Sequence, residues 1–156
     1  MIQKGETIQK NTAFRDENDT EHTFAEYAGK WLVVYFYPKD NTPGCTIEAE
    51  QFRDVQKEFA ARNAVVLGVS KDSWASHQKF IEKKQLTFTL VADIDHALME
   101  TFGVWGERTF MGKKYMGTSR STFLINPEGV VEHVWEKVKP AEHATEVLAK
   151  LDALQQ

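Results

Sequence analysis

The segment Trp31–Arg53, WLVVYFYPKDNTPGCTIEAEQFR, constrains the fold of this chain more than any other. Trp31–Tyr37 is a continuous apolar and aromatic run of β-forming residues, which is typical of a strand covered on both faces in an α/β sheet. Pro38 ends this run. Thr42 and Pro43 suit the N-cap and the first position of a helix, and apolar or small residues then recur at helical spacing. The segment predicts a buried strand, a short polar loop and a helix.

Cys45, the only cysteine of the chain, falls in the first turn of this predicted helix. Free backbone N–H groups and the positive end of the helix dipole stabilise an anion at that place. They favour the thiolate, which is the nucleophilic form of cysteine. The alternative is a small buried core residue, because free cysteine is among the most buried residue types. Placement alone leaves both interpretations open.

The residues around Cys45 also match a known active-site pattern. PKDNTPGC resembles the peroxiredoxin pattern, which is a proline, three residues, a threonine, two residues and the peroxidatic cysteine. The segments VVYFYPKDNTPGCT, FTLVADIDHALMETFGVWGE and RSTFLINPEGVVEHV are similar to the bacterioferritin comigratory protein, or peroxiredoxin Q, subfamily. Several ordered segments spread over nearly the whole chain are more specific than one short motif. The resemblance implies reduction of hydrogen peroxide or organic hydroperoxides by thiols.

The fold class expected is α/β. By resemblance the fold is thioredoxin-like, with a central mixed β-sheet flanked by helices and an N-terminal β-hairpin. A length of 156 residues suits a single domain over 1–156. Residue patterns predict strands near Ala13–Arg15, Glu21–Thr23, Trp31–Tyr37, Ala64–Val69, Phe88–Ala92, Ser119–Ile125 and Val130–Trp135, with a hairpin in Glu107–Thr118. They predict helices over Thr46–Arg62, Trp74–Lys84 and His96–Phe102, and after Pro140.

Two finer expectations concern the helices. The helix Trp74–Lys84 is expected to pack on the sheet through one face, formed by Trp74, His77, Phe80 and Ile81. Asp95 is expected to cap the helix that follows it.

The histidines show no metal-like spacing and are interpreted as surface or helix-face residues. Arg53 and Arg108 are interpreted as surface ion-pair residues.

Composition narrows the function classes. A formal charge of −4 and the absence of a Lys/Arg block argue against nucleic acid and anionic membranes as partners. One cysteine cannot form an internal disulfide, and the segment MIQKGETIQKNT lacks the apolar core of a signal peptide. No apolar run approaches the length of a membrane span. These features favour a reducing cytoplasm. No metal, haem, flavin or nucleotide cofactor is indicated.

The resemblance implies a role for each residue of the site. Cys45 attacks the hydroperoxide and becomes a sulfenic acid. Thr42 hydrogen-bonds the peroxide through its hydroxyl, and Arg120, in the segment RSTFLI, holds sulfur and oxygen with its forked donors. Pro38 covers the sulfur and limits water. The backbone N–H groups of Gly44 and Cys45 face the developing negative charge.

The chain departs from its relatives at Glu50, where many members carry a resolving cysteine. Turnover is therefore expected to need an external thiol, either thioredoxin or glutathione with a glutaredoxin. A thioredoxin-type reductase is excluded because Thr42 occupies the first position of the Cys-x-x-Cys motif. A thioredoxin-fold peroxide sensor or binding module, without steady turnover, is the alternative from another class. A monomer is the expected state, and a dimer through a sheet edge or helix face is the alternative.

Overall fold

The computed structural model describes all residues 1–156. The strands are β1 (Ala13–Arg15), β2 (Glu21–Thr23), β3 (Trp31–Phe36), β4 (Ala64–Ser70), β5 (Thr89–Ala92), β6 (Trp105–Phe110), β7 (Lys113–Thr118), β8 (Ser121–Ile125) and β9 (Val131–Trp135). The helices are α1 (Pro43–Asp54), α2 (Gln56–Ala61), α3 (Trp74–Lys84), α4 (Ala97–Phe102) and α5 (His143–Gln155), and a 3-10 turn spans Phe24–Tyr27.

A mixed sheet forms the centre of the molecule. Five strands lie in the order β5-β4-β3-β8-β9, while β1 with β2 and β6 with β7 form separate hairpins. The central strand β3 is parallel to β4 and antiparallel to β8. Leu32–Tyr37 is buried on both faces of the sheet, which explains the continuous apolar run. The mixed sheet and the N-terminal hairpin agree with the predicted fold class.

Alternate residues of β3 supply two hydrophobic cores on opposite faces of the sheet. Val33 and Tyr35 enter the core that α1, α2, α3 and α5 cover, and Cys45 belongs to this core. Val34 and Phe36 enter the other core, which α4 and the N-terminal hairpin cover. The position of β3 in the sheet therefore sets where α1, which follows it in the chain, begins. None of the helices is long and apolar enough to cross a membrane.

The structure corrects three details of the predicted helices. The single helix expected over Thr46–Arg62 is divided at Val55, which leaves the helical region of backbone space with φ −109° and ψ 16°. Trp74 does not pack on the sheet, because it is the first residue of α3 and is 41% exposed. The main cap of α4 is Asp93, whose carboxylate accepts hydrogen bonds from Leu98 and Met99 N–H, 3.0 and 2.8 Å away.

Asp95 has a smaller part in that turn than the sequence suggested. Its Oδ1 accepts one hydrogen bond, from Ala97 N–H at 3.2 Å. His96 precedes α4 in the left-handed region, with φ 63°. This turn brings the chain back so that Asp93, at the end of β5, faces the free N–H groups of the helix. Asp93 and Asp95 are two residues apart, so the sequence alone does not show which of them caps α4. The path of the turn decides it.

Gly68 provides a test of packing in the central sheet. A Cβ atom added to Gly68 would lie 2.8 Å from Leu90 Cδ2 and 2.9 Å from the Tyr35 ring. Gly68→Ala should lower the free energy of unfolding by about 1–3 kcal/mol, the usual cost of overpacking. Gly106→Ala is the matched control, since a Cβ there meets nothing within 4 Å. Urea unfolding of both variants measures the difference, and equal midpoints would contradict the packing described for Gly68.

Candidate active site

Cys45 lies in the first turn of α1, above the end of β3. Thr42 has the extended backbone of an N-cap, with φ −92° and ψ 156°. Its carbonyl accepts the first helical hydrogen bond, from Thr46 N–H at 2.8 Å. The N–H groups of Gly44 and Cys45 donate to no protein acceptor. Two free backbone donors therefore lie beside the sulfur at the positive end of the helix.

The sulfur of Cys45 is held by an arginine from another part of the chain. Arg120 immediately precedes β8, and its Nη2 donates to Cys45 Sγ at 3.4 Å. Its carbonyl accepts a hydrogen bond from Val138 N–H at 2.9 Å, which anchors its backbone. Cys45 is 1% exposed, so the sulfur and the guanidinium meet where water has little access. A fixed cation at this distance attracts negative charge on the sulfur.

Glu48 is a member of the site that sequence reasoning missed. Its side chain is fully buried one turn after Cys45, and its Oε1 accepts a hydrogen bond from Arg120 Nη1 at 2.8 Å. Burial raises the pKa of Glu48 to about 7, although the nearby Arg120 opposes that rise. The other oxygen, Oε2, has no hydrogen-bond partner. The i, i+3 spacing from Cys45 was the only signal in the sequence.

The loop before α1 is clamped by Asp40, which sequence reasoning also missed. Its Oδ1 accepts from Tyr37 Oη at 2.6 Å, and its Oδ2 accepts from Ser76 Oγ at 2.8 Å and bonds His77 Nδ1 at 2.7 Å. Its own N–H donates to Asp72 Oδ2 at 2.8 Å. These bonds tie the loop to the end of β3 and to the start of α3. The loop that positions the first turn of α1 is thus fixed on several sides.

The sequence placed His77 on a face of its helix, and the structure confirms this position in α3. This residue is buried, and its ring nitrogen and the carboxylates of Asp40 and Asp72 lie within 4.8 Å of one another. Its Nε2 faces the carbonyl of Val91 at 2.8 Å. His143 is also buried, and its Nε2 lies 2.7 Å from Thr122 Oγ1. Both histidines fill hydrogen-bonded positions inside the fold.

The other three predicted site residues lie between the end of β3 and the first turn of α1. Thr42 Oγ1 donates to the Lys39 carbonyl at 2.9 Å, so its lone pairs remain able to accept a hydrogen bond. Pro38 lies two residues after the end of β3 and lines, with Arg120, an open cavity of about 400 Å³. A Cβ atom at Gly44 would lie 3.3 Å from Arg120 Nη2, so the missing side chain leaves room for the guanidinium.

The two arginines that were interpreted as surface ion-pair residues, Arg53 and Arg108, have different surroundings in the structure. Arg53 pairs with Asp54 at 2.9 Å and donates to the Lys84 carbonyl at 2.7 Å, as an ion-pair residue would. Arg108 forms no ion pair and lines the same cavity as Arg120, so the expectation for Arg108 was wrong. Glu50 faces away from the sulfur toward Arg53, with 3.8 Å between their charged atoms.

The comparisons with known proteins agree with this geometry. Residues 5–134 match the AhpC/TSA family. The chain is 51% identical over 127 residues to peroxiredoxin Bcp of Bacillus subtilis, which covers 81% of each chain. This chain belongs to the peroxiredoxin family. It is therefore a thiol-dependent peroxidase.

Solved structures of other peroxiredoxins confirm the thioredoxin-like fold. The structure of the Xanthomonas campestris bacterioferritin comigratory protein superposes with a TM-score of 0.92 at 43% identity, over 99% of this chain and 100% of that chain. A cysteine-to-serine mutant of Xylella fastidiosa PrxQ gives a TM-score of 0.95 at 41% identity, over 100% and 99% of the two chains. The predicted subfamily is likewise confirmed by these relatives.

The buried carboxyl of Glu48 predicts a pH-dependent stability. Its pKa is raised from 4.5 to about 7, so the folded peroxiredoxin binds more protons than the unfolded chain between those values. The free energy of unfolding contributed by Glu48 therefore falls as pH rises through that window and is constant outside it. Glu48→Gln removes this contribution. Relative to the parent, the variant should gain about 3 kcal/mol between about pH 4.5 and 8, at about 1.36 kcal/mol per pKa unit.

Urea unfolding at a series of pH values measures this gain. Glu50→Gln is the matched control, because it makes the same change on the partly exposed side of the same helix. A Glu48→Gln curve that runs parallel to that of the parent across the window would contradict the raised pKa. Comparing differences between variants cancels the contributions of the other titrating groups, such as His22.

Proposed function

We propose that this peroxiredoxin works with one cysteine. The Cys45 thiolate attacks the terminal oxygen of a hydroperoxide, the O–O bond breaks, and water or an alcohol leaves. Cys45 becomes a sulfenic acid, which an external thiol reduces. The observation that carries the proposal is the contact of 3.4 Å between Arg120 Nη2 and Sγ of the only cysteine in the chain.

Each neighbour of the sulfur has a role in this reaction. Arg120 holds sulfur and peroxide oxygen together, which aligns the attack and stabilises the charge that moves onto the leaving oxygen. The free N–H groups of Gly44 and Cys45 donate to that oxygen. Thr42 Oγ1, whose hydrogen is used by the Lys39 carbonyl, accepts the O–H of the hydroperoxide. Pro38 has no N–H and limits water at the sulfur.

The absence of a second cysteine determines how the cycle closes. Glu50 occupies the place of the resolving cysteine, and Cys45 is the only free cysteine. The sulfenic acid therefore condenses with a thiol from outside the chain, and a second thiol releases Cys45. Thioredoxin, or glutathione with a glutaredoxin, would supply the thiol. The working unit in this proposal is a monomer, as the resemblance to the subfamily implies.

The substrate class is the hydroperoxides, inorganic and organic. The Xanthomonas campestris relative has been described for its alkyl peroxide reduction activity. This supports extending the substrates of the present chain from hydrogen peroxide to alkyl hydroperoxides.

Cys45→Ser tests the proposal directly. A hydroxyl is close to a thiol in size but is a far weaker nucleophile near neutral pH, so peroxidase activity should be lost while the fold remains. The measurement is peroxide consumption over time with a thiol reductant in excess. The parent should consume many equivalents of peroxide. A single stoichiometric burst would instead indicate a sensor, and activity of Cys45→Ser near the parent rate would remove Cys45 from the mechanism.

Variants of the residues around the sulfur should slow the attack. Arg120→Ala and Thr42→Val should each lower the second-order rate constant with hydrogen peroxide by about 10²–10³, the usual effect of losing one positioned group. Arg53→Ala is the control, because Arg53 belongs to α1 but pairs only with Asp54, Glu50 and a backbone carbonyl. Stopped-flow kinetics give the rates. If Arg120→Ala matches Arg53→Ala, Arg120 has no part in the chemistry.

The fate of the sulfenic acid provides a separate prediction. Without thiol, a second peroxide should oxidise Cys45 to the sulfinic and sulfonic acids, since no sulfur in the chain can trap the first product. A bridge between two Cys45 residues needs Cα atoms within about 7 Å, which their buried position prevents. Intact mass measurement after a small excess of peroxide should show gains of two and three oxygens, suppressed by added thiol. A predominant disulfide-linked dimer would contradict the expectation.

A further inference from the structure

A cavity of about 400 Å³ is lined by Arg120, the residue that contacts Cys45 Sγ, and its lining is strongly cationic. Four positively charged side chains line it, Lys71, Arg108, Arg120 and Lys137, and no aspartate or glutamate does. Arg120 joins the cavity to the reaction, because its Nη2 also lies 3.4 Å from Cys45 Sγ. A molecule in the cavity therefore lies against the side chain that contacts the sulfur.

The charge of Arg120 is shared with Glu48, but the other three cations have no carboxylate partner, and Lys71 Nζ instead lies 5.7 Å from the centre of the Trp105 ring. Lys71, Arg108 and Lys137 form no ion pair within 4.0 Å. Lys71 follows β4, Arg108 lies in β6 and Lys137 follows β9, so three separate parts of the chain converge. Like charges brought together without counter-charges repel one another and attract an anion.

The rest of the lining contains few apolar side chains. Pro38 and Val138 are the aliphatic contributors, and Tyr115 adds one aromatic ring. Sites for small molecules are commonly about 300–1,000 Å³ in volume and mostly apolar, with a few polar groups. This cavity has the volume of such a site, but most of the residues that line it are polar or charged. It fits a small, polar and negatively charged molecule.

We infer that this cavity receives the reducing thiol, and that this thiol is a small molecule bearing carboxylates, such as a γ-glutamyl peptide thiol. The inference rests on the proposed function. Cys45–SOH and the thiol RSH give the mixed disulfide Cys45–S–S–R and water, so the sulfenic sulfur is reduced and the thiol sulfur is oxidised. A second RSH then attacks the mixed disulfide, forming RSSR and restoring the thiol of Cys45. The cations hold the carboxylates of R throughout.

The test compares an anionic thiol with a neutral one on oxidised protein. The protein is treated with one equivalent of hydrogen peroxide, and its reduction by glutathione and by 2-mercaptoethanol is followed by stopped flow. The ratio of the two rate constants should fall about two- to fivefold in Lys71→Gln and in Lys137→Gln, the effect of one exposed ion pair. It should also fall when salt screens the charges. Lys57→Gln, an exposed lysine on α2, is the charge-matched control and should keep the parent ratio.

Three outcomes would overturn the inference. One is a ratio of the glutathione and 2-mercaptoethanol rate constants that is the same in the parent, Lys71→Gln, Lys137→Gln and Lys57→Gln, although peroxide still oxidises Cys45 in each. Another is a fall in both thiol rates together, which indicates structural damage without charge recognition. The third is a charge effect on oxidation by a carboxylate-bearing hydroperoxide with none on the thiol step, which would assign the cavity to the peroxide.

A binding measurement keeps the inference separate from the proposed function. If peroxide formed no sulfenic acid at Cys45, the proposed function would fail, but the cavity could still be probed on untreated protein. S-methylglutathione keeps the carboxylates and cannot react. In amide NMR spectra it should shift the signals of residues 71, 108 and 137 in the parent, and less in Lys137→Gln. No shift at those residues would overturn the inference.

Discussion

The guanidinium of Arg120 is shared between the sulfur of Cys45 and the buried carboxyl of Glu48, and the geometry of the site depends on this sharing. The two Nη atoms lie 3.4 Å from Sγ and 2.8 Å from Oε1. A planar fork with two donors in fixed positions can serve both partners at once, whereas a lysine ammonium would not be oriented in this way. Because the pKa of Glu48 is raised to about 7, the carboxyl is only partly ionised at neutral pH. Glu48 therefore neutralises Arg120 only in part, and the positive charge of Arg120 still acts on the sulfur.

The sheet brings these groups together. Phe36 pairs with Ser121 across β3 and β8, so Arg120 lies just beyond the paired end, beside the loop that follows β3. Cys45 lies in the first turn of α1, at the far side of that loop, and Asp40 ties the loop to α3. Gly44 leaves space for the guanidinium between α1 and Pro140. Residues separated by 75 positions in sequence thus meet at the same end of the sheet.

The sequence predicted what local patterns and an ordered family motif can specify. The buried strand, the N-cap at Thr42 and the position of Cys45 follow from residue types along a short segment. The position of Arg120 beside the sulfur came only through the resemblance, since nothing local links β8 to α1. Glu48 was missed because a buried glutamate contradicts the usual exposure of that residue type, and only the presence of Arg120 explains it.

The remaining differences between the sequence predictions and the structure have related physical causes. His77 was expected on a helix face, and it is on one, but its burial depends on Asp40 from a distant loop. Arg108 was taken as an ion-pair residue because surface arginines usually find a carboxylate. The hairpin of β6 and β7 instead places it over Gly117, beside other cations. In each case the local residue pattern was correct, and the partner came from a part of the chain that no local pattern could identify.

In the proposed one-cysteine cycle, α1 forms no disulfide within itself. Residues five apart on an α-helix are separated by about 140° around the axis and about 7.5 Å along it, so a disulfide between them requires the helix to unwind. Glu50 cannot form a disulfide, so it does not require the helix to unwind. Its ion pair with Arg53 forms within the folded helix. A cycle that uses an external thiol therefore leaves Glu48 buried and Arg120 paired at every step. Such a cycle still requires access to the sulfur, because Cys45 is 1% exposed, and Arg120, which contacts the sulfur, also lines the cationic cavity.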